Sequence, residues 1–210
     1  MPDFVLENKF PDFVAGVDEV GRGPLAGPVV AAVVVFLNKQ LDFICMLNDS
    51  KKLSAKKRMI LFDQLVNSKG VIYNYAVISN IVVDKINIFN ATKQAMLESV
   101  EKISNRVSIS QILVDGNHKM LNNKFSETTV IKGDSKSYSI AAASIIAKVI
   151  RDKIMINLGK NFPYYNWQNN AGYGTKEHLE AINKYGISKY HRKSFAPIKN
   201  QCFLTVAKQV

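Results

Sequence analysis

A chain of 210 residues, 47% hydrophobic and 21% charged, can bury one sizeable core and is neither low-complexity nor disordered in composition. Its longest apolar run, nine residues from Val29 to Leu37, is well short of the roughly 20 needed to span a bilayer; no basic stretch followed by an apolar core marks a secretory leader. The net charge of +11 is uneven: the first fifty residues carry seven acidic and three basic side chains, and every later stretch is basic. An acidic segment in a basic chain points to nucleic acid as partner.

Residues 1–12 mix charges with proline and read as a loose lead-in. From Phe13 the chain climbs through an apolar run to Asp18 and Glu19, passes Gly21-Arg22-Gly23 and a Pro24–Pro28 turn, then enters the apolar run from Val29. β-Branched residues fill both runs and Gly and Pro punctuate them, which predicts strand, turn and strand. The polar loop Asn48 to Arg58 leads into a helix with Ser54 as N-cap, Met59, Leu61, Phe62, Leu65 and Val66 recurring at helical spacing to about Asn67. Gly70 ends it, and Val71–Ser79 alternates as a third strand.

Asn80–Ser104 reads as one helix or two, with a break around Asn87–Asn90. Ile112–Gly116 and Thr128–Ile131 are short strands, the second leading into Lys132-Gly133-Asp134. Ser137–Leu158 is the strongest helix, small and apolar almost all round at Ala141–Ala147, with Gly159 expected to close it. Beyond looser sequence from Pro163 to Gln168 and Gly172-Tyr173-Gly174, a helix is predicted from Lys176 to Tyr185, capped by Thr175 and stopped by Gly186. Cys45 and Cys202 lack metal-ligand spacing and read as free thiols of a reducing cytoplasm, the expected location.

Asp18, Asp115 and Asp134 share one context: each stands at or just after an apolar strand, close to a glycine. Strand ends that converge on one edge of a sheet are where ligands bind. Glu19 joins them only if the strand kinks or ends there, because adjacent strand residues point to opposite faces. Four hard oxygen ligands without His or Cys favour Mg²⁺ or Mn²⁺ over zinc. Taken singly, Asp134 also reads as a helix cap and Asp115-Gly116 as a turn pair. Lys51, Lys52, Lys56, Lys57 and Arg58 read either as a solvated helix face or as a phosphate track, and His191-Arg192-Lys193 has the same two readings. Gly172-Tyr173-Gly174 reads as a surface turn or as the mount of a stacking ring. His118 and His178 show no partner and are expected at the surface.

Six ordered motifs, AGVDEVGRGPLAGPVVAAVVV, NDSKKLS, LVDGN, KGDSKSYSIAAASIIAKVIRD, GYGTKEHLEAI and HRKSF, spread over about residues 13–198, together resemble ribonuclease HII, the bacterial type 2 ribonuclease H. The resemblance implies an RNase H-like fold: a five-stranded mixed sheet flanked by helices, with a helical C-terminal portion. Residues 1–12 would be the lead-in, 13–160 the catalytic core and 161–210 a substrate-contacting part of the same domain. It implies hydrolysis of RNA in RNA–DNA hybrids and incision 5′ of single ribonucleotides in duplex DNA, as ribonucleotide excision repair requires. Catalysis would use two divalent ions, Mn²⁺ or Mg²⁺, on Asp18, Glu19, Asp115 and Asp134, leaving 3′-hydroxyl and 5′-phosphate ends.

Gly21, Arg22 and Gly23 match the element that senses the ribose 2′-OH, and Tyr173 the ring that stacks on the following deoxyribose. Gly174 stands where many members have proline. Lys51 and Arg192 are further expected substrate contacts. A monomer without a membrane partner is expected. The competing readings are a non-catalytic nucleic-acid-binding protein on the same fold, and a metal nuclease that cuts another structure such as a DNA junction.

Overall fold

In the computed structural model, which describes residues 1–200, the central strand is β2 (Val29–Phe36), all eight of whose residues are buried. An uninterrupted apolar strand of this kind is covered on both faces. Val30, Ala32, Val34 and Phe36 pack toward α1 (Ala55–Asn67) and α3 (Tyr138–Asn161). Val29, Ala31, Val33 and Val35 pack toward α2 (Asn80–Ser104). β1 (Phe13–Val20) and β3 (Val71–Ile78) flank β2, both antiparallel to it. β4 (Ile109–Asp115) and then β5 (Glu127–Val130) extend the sheet in parallel beyond β1. The order β3-β2-β1-β4-β5 is the expected five-stranded mixed sheet flanked by helices.

Local chemistry sets the helix ends. Ser54 Oγ accepts the Lys57 N–H, Ser79 Oγ the Val82 N–H and Ser137 Oγ the Ile140 N–H. The expected break in α2 falls at Asn87, whose φ of 65° and ψ of 165° leave the helical region. Its Oδ1 accepts the Asn90 N–H at 3.0 Å and so caps the second segment. Gly159 does not close α3, which runs on to Asn161; instead it admits a close neighbour, since a methyl group there would sit 2.7 Å from Gln168 Oε1.

The lead-in is not loose. Asp3 bridges to Ser137, and Glu7, 2% exposed, accepts from Ser137 Oγ at 2.7 Å and from the Ser139 N–H at 3.0 Å. A carboxylate at the start of α3 is favoured by the unpaired N–H groups and the positive end of the helix dipole.

C-terminal to α3, α4 (Trp167–Asn170) and α5 (Lys176–Tyr185) close over their own apolar cluster of Met155, Tyr165, Trp167 and Ile182. Thr175 caps α5 and Gly186 ends it, as the sequence predicts. Cys45 is an exposed free thiol, and Cys202 lies outside the described residues. No helix among the described residues is long and apolar enough to cross a membrane.

Candidate active site

Asp18 lies on the α3 face of β1. Its neighbours Ala15 and Val17 pack with the α2 layer, whereas Val14 meets Ile140 of α3. Alternation therefore puts Asp18 toward α3, close to Ser144, whose hydroxyl pairs with Ser50 Oγ at 2.8 Å. Its Oδ1 also accepts the Glu19 N–H at 2.7 Å. β1 does not kink at the acids: Asp18, Glu19 and Val20 stay paired with Ala32, Ala31 and Val30 of β2. On the other side, pairing with β4 stops at Val17 and Val114. Asp18 and Glu19 therefore leave the strand on opposite faces, one and two residues past the last rung shared with β4.

Asp115 ends β4 and lies within electrostatic reach of both. Its Oδ1 accepts the Gly133 N–H at 2.7 Å. That bond ties it to the single 3₁₀ turn Gly133–Ser135, which carries Asp134 and is entered through a left-handed Lys132, φ 57°. Ser137, not Asp134, caps α3, so Asp134 is free of that duty.

The electrostatics are those of an undercompensated acid cluster. Burial, then Glu19 and Asp115, pushes the Asp18 carboxyl well above its ordinary range. Burial also raises Glu19, against the opposing pull of Arg22, whose Nη1 lies 3.2 Å from Glu19 Oε1. Asp134 is raised by burial and by Asp49 and Asp115, with Lys51 opposing. Burial works against the Lys51 ammonium, but Asp18, Asp49, Asp134 and Asp115 outweigh it and raise its pKa. Lys51, Asp49, Asp115 and Asp134 line one open cavity of about 390 Å³ together with Lys52, Lys132 and Ser135.

No three His, Cys, Asp or Glu side chains among the described residues are arranged to hold an ion as they stand. Asp115 and Asp134 share that cavity with Asp49 and Lys51, and Asp18 and Glu19 adjoin it through their electrostatic coupling to Asp115. The acids' all-oxygen chemistry and uncompensated charge suit a hard divalent cation, Mg²⁺ or Mn²⁺. Asp49, in the same loop as Lys51, went unnoticed in the sequence because an acid in a polar loop reads as solvated.

Two buried arginines hold the segment from Gly21 to Pro28, Arg192 at the Gly21-Arg22-Gly23 turn and Arg151 at its far end. Arg192, expected to contact substrate, is 0% exposed and faces inward. Its Nη2 donates to the Gly21 carbonyl at 2.6 Å, Nη1 to Arg22 at 3.0 Å and Nε to Gly27 at 3.0 Å. Arg151 of α3, equally buried, donates to Pro28 at 2.9 Å, Ala26 at 3.1 Å and Ala171 at 2.9 Å. Burial lowers Arg151 to about 10 and Arg192 to about 9, so both stay charged near neutrality. Gly21 has φ +95°, and a methyl group there would overlap the Arg151 side chain.

Gly172 passes so near Ala26 that its missing methyl would lie 2.6 Å from the Ala26 carbonyl oxygen, and its own carbonyl accepts the Leu25 N–H at 2.8 Å. This seam brings the 45% exposed Tyr173 to the turn: a methyl on Gly23 would sit 3.6 Å from Tyr173 Cε1. His178, expected at the surface, is wholly buried between Trp167 and His191. His118 is exposed, against Phe89.

The family model for Ribonuclease HII matches residues 15–198. The chain is 48% identical over 199 residues to Ribonuclease HII of Wolbachia sp. subsp. Brugia malayi, with 95% of each chain covered. Among solved structures it is similar to ribonuclease H2 from Pyrococcus horikoshii OT3, with TM-score 0.73 and 25% identity, covering 90% of this chain and 96% of that one. Bst-RNase HIII in complex with Mn²⁺ shares the fold, with TM-score 0.74 and 19% identity over 95% of this chain and 72% of that one.

Proposed function

The chain belongs to the ribonuclease HII family and is a ribonuclease H acting on RNA–DNA hybrids, and from that premise we propose that it also incises on the 5′ side of single ribonucleotides in duplex DNA. The observation that carries the proposal is the approach of Tyr173 to Gly23, close enough that a methyl group on Gly23 would touch the ring, beside a turn whose Arg22 reaches back to Glu19 of the acid cluster. Sugar recognition and hydrolysis would thus share one surface.

Asp18, Glu19, Asp115 and Asp134 would hold two divalent ions, Mn²⁺ or Mg²⁺, which when bound supply an acidified water and charge stabilisation at the leaving 3′-oxygen. The protein's own contribution is placement. The Glu19 N–H fixes Asp18 and the Gly133 N–H fixes Asp115, so two carboxylates are oriented before any ligand arrives. Arg22 holds Glu19 on the side of the turn. Lys51, exposed at the mouth of the cavity, balances the acids and can meet a phosphate oxygen.

The Gly21-Arg22-Gly23 turn would read the ribose 2′-OH, the group that separates RNA from DNA, and Tyr173 would stack on the next deoxyribose. The 2′-OH serves recognition, and products end in 3′-hydroxyl and 5′-phosphate. We read residues 13–160 as the catalytic core and the C-terminal portion as its substrate-contacting extension, in a monomeric cytoplasmic repair enzyme.

The test is incubation with duplex DNA holding one ribonucleotide, in Mg²⁺, Mn²⁺ or EDTA. Cleavage 5′ of the ribonucleotide with either metal and none in EDTA is expected. Binding without turnover would leave a non-catalytic reader of hybrids. Stacking on the order of 1–3 kcal/mol makes Tyr173→Ala roughly 5- to 150-fold slower on this substrate, with a smaller loss on a uniform hybrid.

A further inference from the structure

His178 and His191 lie outside the acid cluster, both wholly buried, and hydrolysis gives them no task. Their partners fix their protons. His178 Nδ1 is 2.8 Å from the Tyr173 carbonyl oxygen. An oxygen of that kind only accepts, so Nδ1 carries the hydrogen and Nε2 is an acceptor. Nε2 takes the Trp167 indole N–H at 3.0 Å and faces His191 Nε2 at 3.1 Å. His191 Nδ1 accepts the Ser188 N–H at 2.9 Å, which places its hydrogen on Nε2, directed at His178. With both rings neutral, the Trp167 N–H and the His191 Nε2–H share the single lone pair of His178 Nε2, and burial depresses both pKa values, that of His191 to about 3.

The chain of contacts joins the two walls of the recognition surface. The Tyr173 carbonyl is held from two directions, by His178 and by the Thr175 N–H at 2.8 Å. His178 meets His191, and the next residue is Arg192, whose guanidinium holds the Gly21 and Arg22 carbonyls. The Tyr165 and Trp167 rings, 5.0 Å apart and stacked, pack against this pair. Ring and turn therefore hang from one rigid block.

We propose that His178 is a positioning residue for sugar discrimination: its Nδ1–H fixes the Tyr173 peptide and so sets the ring at the distance from Gly23 that favours a deoxyribose as the next sugar. This rests on reading Tyr173 as the stacking ring. His178 touches neither substrate nor reacting atoms, so its loss should alter the choice between substrates more than the hydrolysis common to both.

Two isosteric replacements divide its two bonds. In His178→Asn the amide nitrogen can stand where Nδ1 stood, keeping the donor to Tyr173 while abandoning Trp167 and His191. In His178→Gln the amide oxygen can replace Nε2, keeping those partners while losing the donor. The readouts are kcat/KM on a single embedded ribonucleotide and on a uniform hybrid, with Tm for each variant. The ratio of the two kcat/KM values should fall several-fold in His178→Gln, toward that of Tyr173→Ala, and stay near wild type in His178→Asn even where Tm drops. In a Tyr173→Ala background His178→Gln should leave the ratio unchanged. Losses that follow Tm, with an unchanged ratio in His178→Gln, would overturn the proposal and leave a structural histidine. If Tyr173→Ala itself leaves the ratio at the wild-type value, the stacking reading falls first. The wild-type protein offers a check independent of any variant's folding: ¹⁵N-histidine NMR should find His178 as the Nδ1–H tautomer, and the Nε2–H tautomer would refute the assignment.

Discussion

Gly16 of β1 and Ser139 of α3 meet backbone to backbone: a methyl group on Gly16 would overlap the Ser139 carbonyl carbon and the Ile140 nitrogen. No side chain can swing away from such a clash, so strand and helix must part. Asp18 lies two residues along β1 on the same face, close to Ser144 of α3. Gly16→Ala should therefore destabilise the protein at or beyond the upper end of the usual range of about 1–3 kcal/mol for overpacking, and lower activity as Asp18 shifts. Urea unfolding measures the first and hybrid cleavage the second. A change in stability under about 0.5 kcal/mol would mean that the two elements are not locked here.

Asp18→Asn separates charge from shape. Asparagine can still accept the Glu19 N–H that Asp18 takes at 2.7 Å. Cleavage should fall roughly 10²-fold or more, by analogy with removing one preorganised electrostatic group. In EDTA the same variant should be more stable than wild type. The folded pKa of Asp18 is raised by burial and by Glu19 and Asp115, so its ionised form opposes folding at every pH above that value. Each unit of that rise corresponds to about 1.4 kcal/mol, and the advantage of Asn should shrink as pH falls through the folded pKa. Thermal melts from pH 4 to 8 in EDTA test this, and a less stable Asn variant at pH 7.5 would contradict it. Adding Mn²⁺ should raise Tm in wild type more than in the variant.

Lys51 and Arg192 make opposite predictions for salt. Lys51 is exposed at the cavity mouth, whereas Arg192 is fully buried on three carbonyls. The logarithm of hybrid affinity should fall linearly with the logarithm of salt concentration. Lys51→Ala should flatten that slope by about one. Arg192→Lys should leave the slope unaltered yet destabilise the protein by about 2–4 kcal/mol, because one ammonium cannot serve three divergent carbonyls. A reduced slope in Arg192→Lys would restore Arg192 to the substrate surface.

That reversal shows what the sequence could reveal. The buried strand Val29–Phe36, the Ser54 and Thr175 caps and the break at Asn87 were all legible. Each depends on residues within a few positions of one another. The burial of Arg192 was not, because the carbonyls that hold it lie 165 to 171 residues away and carry no side-chain signature. His178 failed for the same reason: its polar partners belong to Trp167, Tyr173 and His191, which only the packing of α4, α5 and the following loop brings together. Gly159 misled in another way, since a glycine that permits close packing looks the same in sequence as one that ends a helix. Of the candidate site, the four acids and the turn were visible as residue types near glycines, while Asp49 and Arg151 needed the fold.

The buried histidines make stability depend on mild acid. In the folded protein the pKa of His191 is depressed to about 3 by burial and by His178, and that of His178 is also lowered. Unfolded, each would titrate near about 6.5. Between those values the unfolded chain binds protons that the folded chain refuses, so stability is full above about 6.5 and is lost as pH falls toward the folded values. One histidine contributes a slope of about 1.4 kcal/mol per pH unit in that window. The raised carboxyls of Asp18 and Glu19 act with the opposite sign, so the informative quantity is the difference between wild type and a variant. His191→Gln keeps an N–H for His178 without a group that titrates. It should be less stable than wild type at pH 7.5, where the Ser188 N–H loses its acceptor, and the gap should close by about 1 kcal/mol or more between pH 6.5 and 5. Urea unfolding at those three pH values decides it: a gap that stays constant would mean that His191 already titrates normally in the folded protein, and the neutral-pair geometry around Tyr173 would have to be abandoned.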